Sequence, residues 1–388
     1  MPILFFMPWV ACAEPLDLGV LRLVPYTRGA QPAAHDGWPQ ATLDAVLGSY
    51  GEPDVYPEPN TPRHVQHATL LTWTENPEGV GLESAHIASR LVQAQYVTFS
   101  ALAKRRYASH FGYCNADGYR PVAQCFDAGS PGNTAVTVRR RDGQSLQYIG
   151  GATAPRFIRP QHVDSNLWVD IDAPLAAALL KVPLGDLKDR LDAAIDLCVK
   201  ANTDSSAMSE RTELVLMRVA FETLLKATHE TADLRRRFEE HFAQDLPAVP
   251  TWHAGALTEN VWRARWPKAV KRPLDAWLKD FCASRNAVAH GPSQDKPPVW
   301  ASHNHLLLAS WLFALMVKKL LAEQGLYALS DCDQALRRGF EAFFAHDVLS
   351  RVDADRPELW WSRVECDLLW EIERKVVFGG PDQNDKPV

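Results

Sequence analysis

Apolar and polar residues follow two rhythms along this chain, a short one up to about Pro174 and a helical one after Pro183. Met1 to Ala13 is a nearly unbroken apolar run, which reads as a buried strand. Leu16 to Tyr26 (LDLGVLRLVPY) alternates as a strand does. Ala135 to Tyr148 reads as two strands joined at Asp142-Gly143, a dipeptide that tolerates the positive φ of a tight hairpin turn. Between them, Trp38 to Tyr56 predicts a short helix, followed by a proline-rich loop through Pro62. Leu82 to His110 predicts a helix, firm from Ser84 onward, with Ile87, Leu91, Ala94, Val97 and Leu102 along one side. Pro155, Pro160 and Pro174 mark the way out of this half.

The second rhythm has the helical period. Leu184 to Lys200 places Leu187, Leu191, Ala194, Ile195 and Cys198 on one face, and Ser209 to Thr228 does so with Leu214, Met217, Phe221, Leu224 and Leu225. Leu274 to Pro292 (LDAWLKDFCASRNAVAHGP) repeats the pattern through Leu274, Trp277, Leu278, Phe281, Cys282, Val288 and Ala289, and Gly291-Pro292 stops it. With Asn304 to Glu323 these segments predict a four-helix bundle. Glu230 to Pro273 reads as an insertion. Two further amphipathic stretches lie in the tail, through Ala335, Leu336, Phe340 and Phe344 and from Pro357 to Phe378. The tryptophans of the second, Trp360, Trp361 and Trp370, suit a dimer contact or a dock for the N-terminal half. The expected class is α+β: a β-rich mixed domain over 1–174, an all-α bundle over 175–380 and a disordered tail over 381–388.

Composition narrows this only a little. The chain has 388 residues, 46% hydrophobic and 23% charged, ample for two domains with real cores. Its formal net charge of −6 exerts no global pull on nucleic acid, so any such contact must be local. Seven cysteines without a CxxC spacing read as reduced and mostly buried, pointing to the cytoplasm. The opening run ends in Ala11-Cys12-Ala13, the shape of a signal-peptidase site, but it lacks a basic leader and two prolines interrupt it. No membrane span, nucleotide-binding glycine loop, nucleophile elbow or repeat is legible.

The candidate chemistry sits on the third helix of the second half. Arg285 extends its apolar stripe by one turn, and a guanidinium there requires an anionic partner, a subunit contact or a ligand. Asn286 follows directly, and His290 lies four residues beyond Asn286, on nearly the same side; Arg285 is turned about 100° from Asn286. Cutting RNA without a metal requires a base for the 2′-hydroxyl proton, an acid for the departing 5′-oxygen and stabilisation of the phosphorane. Histidine suits the first two roles, with an ordinary pKa of about 6.5. Arginine suits the third, because its planar fork holds two phosphate oxygens and keeps its charge. One helix supplies a single histidine, so two proton-transfer groups call for a two-fold dimer. The competing reading is structural: Arg285 pairs with an acid on a neighbouring helix, Asn286 caps a backbone and His290 sits at a helix end favoured by the dipole.

Arg285, Asn286 and His290, in the order RNAVAHG, resemble the signature of the HEPN superfamily, and SRNAVAHG is most similar to its Apea-like branch in bacterial antiphage and abortive-infection proteins. Interval alone does not carry the resemblance, since Arg105 to His110 and Arg236 to His241 share it. The adjoining Asn, the following Gly and the amphipathic helix do. The resemblance covers roughly the C-terminal half. It implies a helical domain, dimerisation through that domain and metal-independent endoribonuclease activity, with no cofactor and no metal. His290 is then general base and acid, Arg285 steadies the phosphorane and Asn286 positions a phosphate or the histidine. AFETLLKA around Glu222 resembles the matching helix of such domains, making Glu222 a supporting residue and a mate for Arg285 or His290; the structural alternative is an exposed helix charge.

Other positions invite contact with RNA. In VWRARWPKAVKRP, Arg263, Arg265, Lys268, Lys271 and Arg272 interleave with Trp262 and Trp266 and meet no acid, a composition that suits unpaired RNA. Arg235-Arg236-Arg237, Arg139-Arg140-Arg141 and Lys104-Arg105-Arg106 are further basic runs, which more often form solvated faces. His64, His67, His110, Cys114 and Cys125 are the sole candidates for zinc and lack its usual spacing. The expectation is a cytoplasmic endoribonuclease of prokaryotic defence acting on RNA, with tRNA among its targets. Its N-terminal half answers a protein or ligand trigger. Two other readings stay open: a catalytically silent HEPN dimer that binds or regulates a partner, and a sensor for a small nucleotide signal.

Overall fold

A computed structural model describes residues 2–30, 38–53, 63–75, 84–104, 115–140, 143–149, 155–242, 273–290, 302–330 and 333–334. It has mixed α and β content and divides into two compact units. The first comprises the described residues of Met1–Lys104 and Cys114–Pro183 together with Asn202–Ala207, and the second those of Leu184–Ala201 and Met208–Val388.

The first unit is built on a seven-stranded antiparallel sheet in the order β2-β3-β6-β1-β7-β8-β9. Its strands are β1 (Ile3–Met7), β2 (Leu16–Asp17), β3 (Leu21–Thr27), β6 (His67–Trp73), β7 (Val122–Asp127), β8 (Ser130–Arg140) and β9 (Gly143–Ile149). A smaller sheet joins β10 (Phe157–Ile158), β4 (Tyr50–Glu52) and β5 (Arg63–His64). The opening apolar run is indeed a strand, at the centre of the large sheet and buried along its whole length. Because side chains alternate, Ile3, Phe5 and Met7 join one core cluster while Leu4 and Phe6 join another. Both faces are covered, so an unbroken apolar run is what this position demands.

Helix α2 (Ser84–Lys104) brings Ala94, Val97 and Ala101 to the first cluster, and α3 (Ala173–Leu180) adds Ala176. Helix α1 (Gln40–Leu47) brings Leu43, Val46 and Leu47 to the second. The strand expected over Leu16 to Tyr26 is instead a tight hairpin. Gly19 turns it at φ 94°, held by the Asp17 carboxylate accepting from its N–H at 2.7 Å. Alternation continues through the turn and conceals it. Pro25 is tolerated because β2 pairs β3 only at Leu23 and Arg22, so the missing N–H breaks no ladder bond. The hairpin foreseen at Asp142-Gly143 joins β8 to β9, with Arg140 opposite Gly143.

Among the described residues the second unit holds five helices: α4 (Asp186–Lys200), α5 (Glu210–Leu225), α6 (Thr231–Phe242), α7 (Pro273–His290) and α8 (Ser302–Glu323). Ser209 caps α5, its side chain accepting from Thr212 N–H at 3.3 Å, and Lys226 ends it in the left-handed region at φ 53°. Helix α5 is the centre of the unit. Its fully buried Phe221 meets Phe238 of α6, Phe281 of α7 and Phe313 of α8 at centroid distances of 5.1, 6.3 and 5.4 Å. Over Thr231–Phe242, helix α6 corrects the reading of Glu230 to Pro273 as an insertion, since Leu234 and Phe238 are core residues; 243–272 lie outside the described residues. The sequence hides this because Arg235-Arg236-Arg237 and Glu239-Glu240 flank Phe238 and dominate the segment. The loop after α8 is fastened by Asp333, which accepts from Lys318, from Tyr327 Oη at 2.8 Å and from Ser330 N–H at 2.9 Å.

Among the described residues no helix is long and apolar enough to cross a membrane. The free thiols there are Cys12, Cys125, Cys198 and Cys282. The expected amphipathic stretches and disordered segment of the tail, from Ala335 onward, lie outside the described residues.

Candidate functional site

Helix α7 begins at Pro273, whose missing N–H costs nothing in a first turn. Its apolar stripe faces inward as its spacing dictates: Trp277, Leu278, Phe281 and Cys282 are all buried. Trp277 and Phe281 stack at 5.2 Å between centroids.

Within this stripe is a polar pair that the reading of the sequence missed. Asp280 and His305 are both 0% exposed, and the imidazole Nε2 lies 3.2 Å from the carboxylate. The rings of Trp277 and Phe281 flank His305 at 6.3 and 5.7 Å. A signal was present: Asp280 lies three residues after Trp277 and beside Phe281, where an apolar residue belongs. Acids are rarely buried without a partner, so that position alone asks for one.

Toward the end of α7 the surroundings change. Arg285 is half-buried and Asn286 exposed. Their side chains meet, Arg285 Nη1 donating to Asn286 Oδ1 at 3.0 Å, which overcomes the turn that helical geometry puts between them. Arg285 Nε is buried and makes no hydrogen bond, and among the described residues the guanidinium has no carboxylate partner. Since the amide oxygen is engaged by Arg285, Asn286 offers its N–H donors. Together they form a donor pair that no carboxylate among the described residues meets. The third expected member, His290, ends the helix, and its side chain lies outside the described residues.

Of the two mates expected for Glu222, Arg285 is not bonded to it, and His290 has its side chain outside the described residues. The Glu222 carboxylate accepts from Arg218 Nε at 2.8 Å, one turn earlier on α5. The Arg218 side chain is only 2% exposed, and it reaches the Cys282 sulfur of α7 through Nη1 and the His229 carbonyl through Nη2, the latter at 3.3 Å. Burial pushes the Cys282 thiol up; Arg218, Thr231 and Arg285 oppose the rise and Glu222 adds to it. Arg218, Arg285 and Glu222 are thus the charged groups that act on this sulfur, and Arg218 touches it. Arg218, also missed, is a charge at a core position of α5, between the apolar Met217 and Phe221.

The other basic candidates fare differently. Lys104 is paired with Asp170. Arg236 pairs with Asp233 and Glu240, and Arg237 with Glu240 at 3.2 Å, so the charge on that face of α6 is neutralised locally. Arg139 and Arg140 end β8, with side chains outside the described residues, as are Arg105, Arg106 and Arg141 altogether. Arg263, Arg265, Trp266, Lys268, Lys271 and Arg272 likewise lie outside them. Of the zinc candidates, His64 Nδ1 meets the Gly48 carbonyl at 2.9 Å and His67 Nδ1 meets Thr27 Oγ1 at 3.3 Å, while His110 and Cys114 are outside the described residues. Among the described residues no three His, Cys, Asp or Glu side chains are grouped to hold a metal.

Comparison of the chain with protein-family models, curated proteins and solved structures finds no match. A half-buried guanidinium bonded to a neutral amide, with no carboxylate on it among the described residues, suits an anion with several oxygens, and a phosphodiester is such an anion.

Proposed function

We propose that this chain is a metal-independent endoribonuclease of the HEPN type that serves prokaryotic defence in the cytoplasm, with the first unit regulating the second in response to a protein or ligand trigger. Arg285 binds the scissile phosphate and steadies the charge of the phosphorane, and Asn286 adds a second donor. His290 takes the 2′-hydroxyl proton in one copy of the chain while its counterpart in a second copy protonates the 5′-oxygen. The helical unit would form the homodimer, and the segment from Arg263 to Arg272 would hold unpaired RNA, tRNA included, through its cations and Trp266.

One observation carries this reading over the structural one. Arg285 has an amide partner and no acid among the described residues, while Glu222, the acid expected to neutralise it, is bonded to Arg218. The test is digestion of a tRNA and single-stranded RNA panel in EDTA by wild type, His290→Ala and His110→Ala. Wild type and His110→Ala should cut and His290→Ala should not. Cleavage that survives loss of His290 would remove the site, and cleavage abolished by EDTA would remove the mechanism. A wild type that cuts nothing yet retains a protein partner would favour the silent regulatory dimer.

A further inference from the structure

Arg218 is a buried arginine on α5 that touches three other parts of the second unit: Glu222 one turn along its own helix, the His229 carbonyl just before α6 and the Cys282 sulfur on α7. Cys282 lies one helical turn before Arg285 and Asn286, so its side chain is a direct neighbour of theirs on the helix surface. Glu222 is thus two contacts away from the anion-binding pair. Glu222 and Arg285 both act electrostatically on the Cys282 sulfur, and among the described residues the Glu222 carboxylate is bonded to Arg218.

We infer that Arg218 is a positioning residue for the reaction proposed above: it holds Glu222 to itself and so leaves the Arg285 guanidinium without a carboxylate among the described residues, ready for a phosphodiester. The inference rests on that reading for its consequence in catalysis, although the competition of two arginines for one carboxylate does not. A free Glu222 beside Cys282 would be drawn to Arg285, because half-buried unlike charges attract far more strongly than they do in water. Arg285 would then be an ordinary structural ion pair, and RNA would have to displace a carboxylate to reach it. Arg218 also grips α7 one turn before the pair, so the same side chain fixes the height at which Arg285 and Asn286 emerge.

The experiment compares four full-length proteins: wild type, Arg218→Met, Arg218→Lys and the double variant Arg218→Met/Glu222→Gln. Each is treated with phenylglyoxal, and modification of Arg285 is followed by peptide mapping; cleavage of single-stranded RNA in EDTA is measured in parallel. Arg218→Met should slow labelling of Arg285 at least fivefold and raise KM for RNA about tenfold. The double variant should restore both to within about threefold of wild type. Arg218→Lys keeps a cation on Glu222 and should remain close to wild type in labelling.

A double variant as impaired as Arg218→Met would overturn the inference, since a merely structural Arg218 is not rescued by neutralising a neighbour. Labelling of Arg285 unchanged in a folded Arg218→Met protein would overturn it too. Should Arg218→Met fail to fold, the Lys variant decides: Arg285 protected there despite an intact fold refutes the idea, and normal labelling supports it. Wild type that cuts no RNA but shows the expected labelling pattern defeats the nuclease reading and leaves the control of Arg285 by Arg218 standing.

Discussion

Asp280 and Arg285 are charged residues a little over one turn apart on α7, and the fold treats them in opposite ways. Asp280 is sealed at 0% exposure against an imidazole that is equally sealed, with Trp277 and Phe281 closing the sides. Arg285 is half-buried, bonded to a neutral amide, and faces no carboxylate among the described residues. A charge satisfied inside the protein contributes to stability and is closed to ligands. A charge left without an opposite is the one that a ligand can use.

The comparison is broken most forcefully at its closed end. Asp280→Ala leaves His305 buried without its carboxylate and should cost about 3 kcal/mol, or more, of stability. Urea unfolding followed by tryptophan fluorescence measures this, and a loss under about 1 kcal/mol would mean that the pair is not sealed as described. The open end should answer in reverse. Arg285→Ala should change stability by about 0.5 kcal/mol at most, yet lower kcat/KM for RNA about 100-fold. A large loss of stability there would show that Arg285 is structural after all.

A third test asks whether closed carboxylates elsewhere follow the rule of Asp280. Burial pushes the Asp333 carboxyl up, but Lys318 and the Ser330 hydroxyl and N–H outweigh it and hold the group below its ordinary value. A carboxyl held low in the folded state contributes stability that is fully present above its unfolded value, about 3.9, and is lost as pH falls through the lower folded value. Melting temperature should therefore drop in that acid window, and Asp333→Asn should be less stable at pH 7 with a smaller drop below pH 4. An equal acid drop in both proteins would count against the pairing. The smallest effect belongs to the first unit. Gly19→Ala should cost about 1 kcal/mol from backbone strain at φ 94° alone, because nothing lies within 4 Å of the added methyl. A neutral result in thermal unfolding would mean that the β2–β3 turn relaxes freely.

Much of this fold is legible in the sequence alone. The central strand β1, helix α2 from Ser84, the β8–β9 hairpin and helices α4, α5, α7 and α8 all announce themselves through period and turn chemistry. The hairpin at Gly19 and the helix α6 did not. In one, alternation continues across the turn; in the other, an apolar stripe as narrow as Leu234 and Phe238 is lost among salt-bridged charges. Within the candidate site, the sequence pointed to Arg285, Asn286 and Glu222 as chemically notable. Arg218 stands four residues before Glu222 on one helix, so their pairing was open to sequence reasoning; that the same Arg218 also reaches Cys282, 64 residues on, was not.

The order of amino acids by itself determined the periodicities, the caps and the positions where a charge interrupts an apolar stripe, since each depends on neighbours within a turn or two. Partnership is a different matter. That Asp280 closes on His305 and Arg218 on Cys282, while Arg285 has an amide and no carboxylate among the described residues, depends on which helix faces reach one another in space, and electrostatic pairing acts over distances that chain separation does not measure.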